Sequence, residues 1–523
     1  MQPGSKEAGG GGHLICCAEM ENISPGPEFP TEMTEELQSM TTTSHSTLWP
    51  NVRRWYRRLN IENFGIEPVP EELRTDQHPR DLFTVFFAAN CNTATLATGF
   101  LGPTTFGLGW WDSFLAIVLF NILGAVFPAL AARFGPKLGL RTMVVPRYSF
   151  GWWPSKVLAF LYLINMLGWS IVNALSGASV LHDVGSGKLP MAISVLIVGL
   201  VAITLGLCGY RVLHIYTRYS WIVMMTCFCI AAGFGAQKFV NVPMGHGATE
   251  ASNVLSFSTS IIGFEAAWAP MAADYGVYIR PEIDDRTIFS YAYGGLLSSQ
   301  VLIELLGAAI GTLVSSPDPR FQTLYHERGM GGLVGSVFED QAAGIREFGY
   351  LVEFLLGLST AAVTTANLYS LGLSVQMTST TFFRVSRLAW SFAGSVVFLA
   401  LSLAARDYLE DVLTNFLLIC AYWLVPFCTV FFLEHFIWRR GYRYDLPVWN
   451  VPSQLPYGFA AATAWVLGTV VAIISMSQTW WTGPIASWIG GKNGTDISCI
   501  LAAVVSGVLY VPLRLWERRI WKL

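Results

Sequence analysis

A few side chains carry chemistry in stretches that are otherwise apolar. In GWSIVNALSGASVL (168–181), Trp169 and Asn173 lie four residues apart. On a helix they share one face, one turn from each other. An aromatic plane beside an amide that both donates and accepts suits a flat heterocycle: the ring stacks and the amide reads its edge. The same pair also suits helix packing, with Trp filling a gap and Asn bonding to a neighbouring helix. GFEAAWAPMAADY (263–275) adds Trp268, placed to close the other side of a planar ligand, and Glu265, a carboxylate at membrane depth. An acid there is costly and points either to a proton acceptor or to a structural pair with a polar neighbour. Glu304 in SSQVLIELLGAAI presents the same two readings, while Asp274, close to Arg280, reads as a cap or a salt bridge. STAAVTTANLYSLGLS (359–374) holds a second membrane amide, Asn367. The hydroxyls of Thr364, Thr365 and Ser370 are weaker signals, because such groups bond to their own helix backbone.

These residues need elements to hold them, and composition limits the choice. Of 523 residues, 53% are hydrophobic and 13% charged, against about a quarter charged in a soluble domain. Apolar runs of about 20 residues recur from residue 82 onward, the length of a membrane-crossing helix. They do not alternate as barrel strands do. The pattern predicts an all-α polytopic membrane protein with twelve helices, at about 82–101, 108–132, 156–181, 189–208, 216–236, 253–276, 289–314, 347–375, 388–404, 411–437, 457–476 and 497–516. With the N-terminus inside and the sides alternating, inner segments hold 25 of the 32 Lys and Arg residues and outer loops hold 7. Both termini are therefore expected in the cytoplasm. The sequon at Asn493 then falls outside and that at Asn22 inside. Residues 1–80 are polar and read as a loosely ordered cytoplasmic tail. Its RRWYRR stretch (53–58) suits either anionic lipid headgroups or plain solvation.

A net charge of −3 gives no basic excess for a nucleic-acid partner. The nine cysteines form no metal or redox pattern and read mostly as small apolar filler. No glycine loop for nucleotides and no nucleophile elbow is present, which argues against an enzyme. Twelve helices suit a secondary transporter, and many transporters place the site at interrupted helices in matching positions of two inverted repeats. Two such helices lie five apart. Asn90, Asn92, Thr93, Thr95, Thr98 and Gly99 crowd the first, and Gly263, Glu265 and Pro270 interrupt the sixth. The repeats would cover about 82–236 and 253–437, a ten-helix transport core within 81–437. Residues 438–523 would add a loop, helices eleven and twelve and a short cytoplasmic end. The loop FGPKLGLRTMVVPRYSFG (134–151) is too polar to span and reads as a shaped connection that gates or positions helices.

The motifs GPKLGLRTMVVPRYSFG, GWSIVNALSGASVL, WAPMAADY and NLYSLGLS, in that order, resemble the fungal purine–cytosine permeases of nucleobase–cation symporter family 1. The resemblance runs from about residue 50 to the end. It implies the leucine-transporter type of five-plus-five inverted repeat, with two further C-terminal helices. It also implies import of purines or cytosine across the plasma membrane by proton symport, with no other cofactor. By resemblance Trp169 stacks on the base and Asn173 hydrogen-bonds it, with Trp268 and Asn367 as further site residues and Asn90 and Asn92 at the polar break. Three positions depart from the family pattern: Ala267 replaces a usual Gly, Ala366 a usual Pro, and Glu265 a usual small residue. They bear on the substrate more than on the fold. Pyridoxine, another flat ring with a polar edge, is therefore the alternative cargo, and a sensor without transport the alternative activity. Ala361 and Ala362, or in a shifted alignment Ser359 and Thr360, stand where sodium-coupled relatives place hydroxyls; the first alignment favours a proton over sodium, with Glu265, the acid at membrane depth, as the candidate proton site.

Overall fold

A computed structural model describes residues 65–207, 210–339, 341–383, 385–478, 480–490 and 494–521. The described residues form helices and connecting turns, with two isolated β-bridges at Asp76–Ile279 and Ser477–Thr482. In chain order the helices that matter here are α1 (Arg80–Asn90), α2 (Thr93–Thr104), α3 (Trp110–Leu138), α4 (Trp152–Asp183), α5 (Met191–Leu207), α6 (Tyr210–Gly235) and α7 (Ala248–Ala266). They continue as α8 (Asp285–Gly311), α9 (Pro319–Glu339), α10 (Ala343–Leu358), α11 (Ala361–Thr378), α12 (Arg387–Ala404), α13 (Leu409–Leu433), α14 (Phe459–Ser475), α15 (Pro484–Gly490) and α16 (Ser498–Trp521). Among the described residues, seven helical stretches are long and apolar enough to cross a membrane, and three shorter ones are apolar. Of the seven, α3 has the highest mean hydropathy, 2.4. The described residues of the twelve expected ranges lie mostly on helix.

Two of those ranges are broken where the polar residues crowd. Between α1 and α2, Asn92 is extended, and its Oδ1 accepts from the N–H groups of Ala94 (2.8 Å) and Thr95 (3.2 Å). This N-cap starts α2. The Asn92 amide NH2 donates back to the Ala89 carbonyl at 2.6 Å, so one side chain closes α1 and opens α2. The other break follows Ala266. Ala267 and Trp268 lead into a 3-10 turn, Ala269–Tyr275, that carries Pro270 near its start. Proline lacks the N–H that would extend the α-helix.

A third break was not expected. The range 347–375 reads as one helix, but the structure interrupts it at Ser359 and Thr360. The Ser359 hydroxyl donates to the Leu356 carbonyl at 2.5 Å and accepts from the Thr93 N–H at 3.1 Å. The two breaks are thereby joined. Kinked helix α9, which turns at Gly329 (φ 59°), and short helix α15 also had no counterpart in the expected list.

Helices approach closely through small residues, as membrane helices do. A Cβ at Gly307 of α8 would lie 2.0 Å from the Leu96 carbonyl of α2. The 134–151 connection docks onto the turn after α7. Thr142 N–H donates to Asp274 Oδ1, and Ala273 N–H donates to Thr142 Oγ1, each at 2.9 Å. Asp274 thus caps the connection. Residues 65–79, polar enough to read as tail, instead pack here: Arg74 is buried and donates to the Pro136 carbonyl at 2.8 Å, and Val69 N–H donates to Gly139. Past α13, Glu434 is buried between Arg439 (3.0 Å) and Arg514 of α16 (2.8 Å). Arg439 also donates to the Tyr148 carbonyl, which ties this end to the same connection.

Candidate functional site

The broken helices and their neighbours surround one cavity. α1, the turn after it and the start of α2 contribute Ala89, Asn90, Asn92 and Ala94; α4 contributes Met166, Trp169 and Asn173. The end of α7 and the turn beyond it bring Phe264, Ala267, Trp268 and Met271, while α11 brings Val363 and Asn367. The empty space between them, mouth included, is about 350 Å³. All six side chains singled out for substrate contact, Asn90, Asn92, Trp169, Asn173, Trp268 and Asn367, lie on this one wall-to-wall lining. They come from four separate parts of the chain, which only the fold brings together.

Aromatic packing sets the two tryptophans. Trp169 meets the rings of Phe264 (4.9 Å, 88°) and Phe416 of α13 (5.3 Å, 83°) nearly at right angles. Edge-to-face contacts of this kind are favourable and directional. Gly168 makes the second contact feasible, since a Cβ there would lie 2.2 Å from the Phe416 ring. Trp268 is held edge-on by Phe86 of α1 at 5.9 Å. Both tryptophans are 8% exposed and line the cavity.

The amides differ in how much capacity they retain. Asn92 spends its oxygen and its NH2 on the backbone at the break. Asn90 donates to the Phe86 carbonyl at 2.9 Å, but its Oδ1 is buried without a hydrogen-bond partner. Asn173 Nδ2 is likewise buried and unpartnered. An unpaired polar atom in an apolar setting costs about 1–3 kcal/mol. Here the residues that carry one free acceptor and one free donor line the same cavity as two indole rings. That arrangement is matched chemically by a flat ring whose edge both donates and accepts.

Glu265 does not line the cavity. It points to the other side of α7, toward α3 and α8, and is fully buried. The sequence also did not single out Phe264, Met166, Met271 or Val363. Spacing held a signal for each: Met166 and Met271 lie three residues from Trp169 and Trp268, and Phe264 and Val363 lie four from Trp268 and Asn367. Ala366, noted as a departure, is absent from the lining, whereas Ala267 is on it. Asn493, Asn22 and the RRWYRR stretch lie outside the described residues.

Comparison with known proteins follows the same geometry. Residues 68–512 match the family model described as permease for cytosine/purines, uracil, thiamine, allantoin. The chain is 34% identical over 480 residues to the purine-cytosine permease FcyB of Emericella nidulans, covering 91% of this chain and 93% of that one. It is 33% identical over 502 residues to the purine-cytosine permease FCY2 of Saccharomyces cerevisiae, covering 94% and 93%. The vitamin B6 transporter TPN1 of Saccharomyces cerevisiae is 25% identical, with 88% of each chain covered. Among solved structures, Mhp1, a nucleobase-cation-symport-1 family transporter, matches in a closed form with bromovinylhydantoin bound. The TM-score is 0.63 at 14% identity, over 87% of this chain and 96% of that one. Its inward-facing form matches with a TM-score of 0.64. This likeness extends the shared fold to a solved transporter with a bound heterocycle. The chain is a membrane transporter and not an enzyme: it belongs to the family of permeases for cytosine and purines, uracil, thiamine and allantoin.

Proposed function

We propose that the protein imports purine bases or cytosine by proton symport, binding the base in the cavity between the broken helices. The observation that carries this reading is the cavity itself: two indole rings and two unspent amide atoms on one lining, in a chain of the permease family. Trp169 and Trp268 sandwich the ring plane. Asn173 donates to a ring nitrogen or carbonyl, Asn90 accepts from an exocyclic or ring N–H, and Asn367 reads the remaining edge. Asn92 shapes the site by holding the break open rather than by touching the base. Apolar closure with a few convergent polar groups is the usual build of a small-ligand site.

Transport follows from where the breaks lie. The α1–α2 and α7 breaks belong to corresponding helices of two five-helix inverted repeats within twelve spans, with α14 and α16 outside the repeats. Rocking of one bundle against the other exposes the cavity first outward and then inward. Both termini are cytoplasmic and the membrane is the plasma membrane. The coupling ion is read as a proton, since Ala361 and Ala362 stand at the two positions where sodium-coupled relatives place hydroxyls.

Pyridoxine is the second reading. It is supported by the vitamin B6 transporter among the relatives and by Ala267, whose methyl group lies on the cavity wall. The test is labelled uptake in cells that lack base and vitamin B6 carriers, with unlabelled competitors at acidic and alkaline outer pH. Saturable uptake of adenine, hypoxanthine or cytosine that rises as the outer pH falls supports the proposal. Uptake of pyridoxine alone would transfer the site to the second reading, and surface expression with uptake of neither would refute both.

A further inference from the structure

Behind the cavity wall, two acids are buried where α3, α7 and α8 pack together. Glu265 of α7 and Glu304 of α8 are both fully buried. With the Gln300 amide oriented to satisfy its surroundings, its NH2 donates to Glu265 Oε2 at 3.0 Å and to the Leu296 carbonyl at 3.2 Å. One turn further along α8, Glu304 Oε2 accepts from Asn121 Nδ2 of α3 at 2.6 Å. Asn121 also donates to the Ile117 carbonyl at 2.8 Å. Glu304 Oε1 and Asn121 Oδ1 are buried without a hydrogen-bond partner.

The packing around the pair is tight. On α3, Gly124 lies one turn from Asn121, and a Cβ there would sit 2.7 Å from the Cβ of Glu265. On α2, a Cβ at Gly99 would sit 1.9 Å from the Glu304 carbonyl oxygen. On α13, Leu417 and Ala421 face α7 at Gly263. Among the described residues, a further titratable group near Glu265 is Tyr293 of α8, whose hydroxyl donates to the Ile122 carbonyl at 3.0 Å. The nearest acid along α3, Asp112, lies more than two turns away and accepts from the Gly245 N–H. Among the described residues, the groups that act on Glu265 and Glu304 are Gln300, Asn121 and the acids themselves, with no cation. Two ionised carboxylates buried together without a cation cost far more than amide hydrogen bonds return. Buried carboxyl groups without a counter-charge settle this by taking up a proton.

We propose that Glu265 and Glu304 together bind the transported proton, with Gln300 and Asn121 holding the two carboxyl groups in place. This rests on proton symport as proposed above. A proton from the outer solution forms an O–H bond with a carboxylate oxygen of the pair. The same O–H bond breaks and the proton leaves to the inner solution after the rearrangement, and no other bond changes. In the conformation described here both carboxyl groups are closed off, so exchange requires α7 and α2 to shift against α3 and α8. Those are the helices whose breaks carry Trp268 and Asn92. Base and proton therefore engage opposite sides of the same moving elements.

The experiment uses full-length protein in proteoliposomes, with labelled base inside and outside and a pH dye in the lumen. For wild type the proposal expects accumulation driven by an inward proton gradient, and lumen acidification on addition of base. Glu265→Gln and Glu304→Gln should retain base exchange without a gradient, within about twofold of wild type. Accumulation and base-induced acidification should fall at least tenfold. Wild-type accumulation and acidification in both variants would overturn the assignment and leave the pair structural. A wild type with base exchange but no base-induced acidification would overturn proton symport itself. If Glu304→Gln fails to reach the membrane, Glu265→Gln decides alone, because its amide can still bond to Gln300, and retained exchange certifies its fold.

Discussion

Phe264 and Glu265 are neighbours in the chain but face different surroundings. Phe264 lies on the cavity lining and packs against Trp169, whereas Glu265 faces Gly124 and Gln300 on the far side of the same helix. The cavity side is built from neutral groups: two indoles, amides and thioethers. The far side holds carboxyl groups and amide donors. A neutral site suits a neutral base, because a fixed charge beside it would demand a counter-charge that the base does not bring. Charge is confined instead to a compartment of its own. On the proposed reading, substrate recognition and ion binding occupy two sides of one broken helix, so a substitution on one side should leave the other function readable.

The largest effect should come from Trp268→Ala. Stacking of a base on an aromatic ring contributes about 1–3 kcal/mol, and removal of the ring also takes from Phe86 one of its two edge contacts, leaving that with Tyr275. Uptake at low base concentration should fall about 100-fold with surface expression intact, checked by labelled uptake and surface biotinylation. Near-normal uptake would break the division between the two sides. A smaller effect is expected from Gly168→Ala. The new methyl group displaces the Phe416 ring, 2.2 Å away, and with it one of the two rings that orient Trp169. The KM should rise about threefold to tenfold while the maximal rate stays within twofold, read from concentration-dependent uptake. The smallest effect should come from Ala267→Gly, which removes one methyl group from the lining. At about 0.8 kcal/mol per buried carbon, competition between a purine and pyridoxine should shift by about fourfold, and its pH dependence should not change.

The parts of this site that local spacing encodes were legible in the sequence. Trp169 and Asn173 share a helical face at i and i+4, and Asn92 and Trp268 sit where polar residues or proline interrupt an apolar run. Other parts depend on what lies across the packing. The break at Ser359 and Thr360 has no proline to mark it, and neither Gly357 just before it nor its hydroxyls are unusual in a membrane helix until Ser359 meets the Thr93 N–H. Glu265 read alone suggested a proton acceptor or a structural pair. Its surroundings became definite only when α3 and α8 brought Asn121, Gln300 and Glu304 beside it. Residues 65–79 are polar enough to read as tail, yet buried Arg74 finds carbonyl acceptors at Pro136 and Lys137 that no local pattern announces. Likewise α9 is too polar to stand out as a span and is bent at Gly329.

The central claim is that the cavity binds a nucleobase through its free donor and acceptor. Equilibrium binding of labelled adenine, hypoxanthine and cytosine to the purified full-length protein tests it most directly, with Asn173→Ala measured in parallel. The account predicts saturable one-site binding of at least one base, competed by the unlabelled base, and weakened about tenfold or more in Asn173→Ala through loss of a buried hydrogen bond. Saturable binding that is unchanged in the folded Asn173→Ala protein would contradict it.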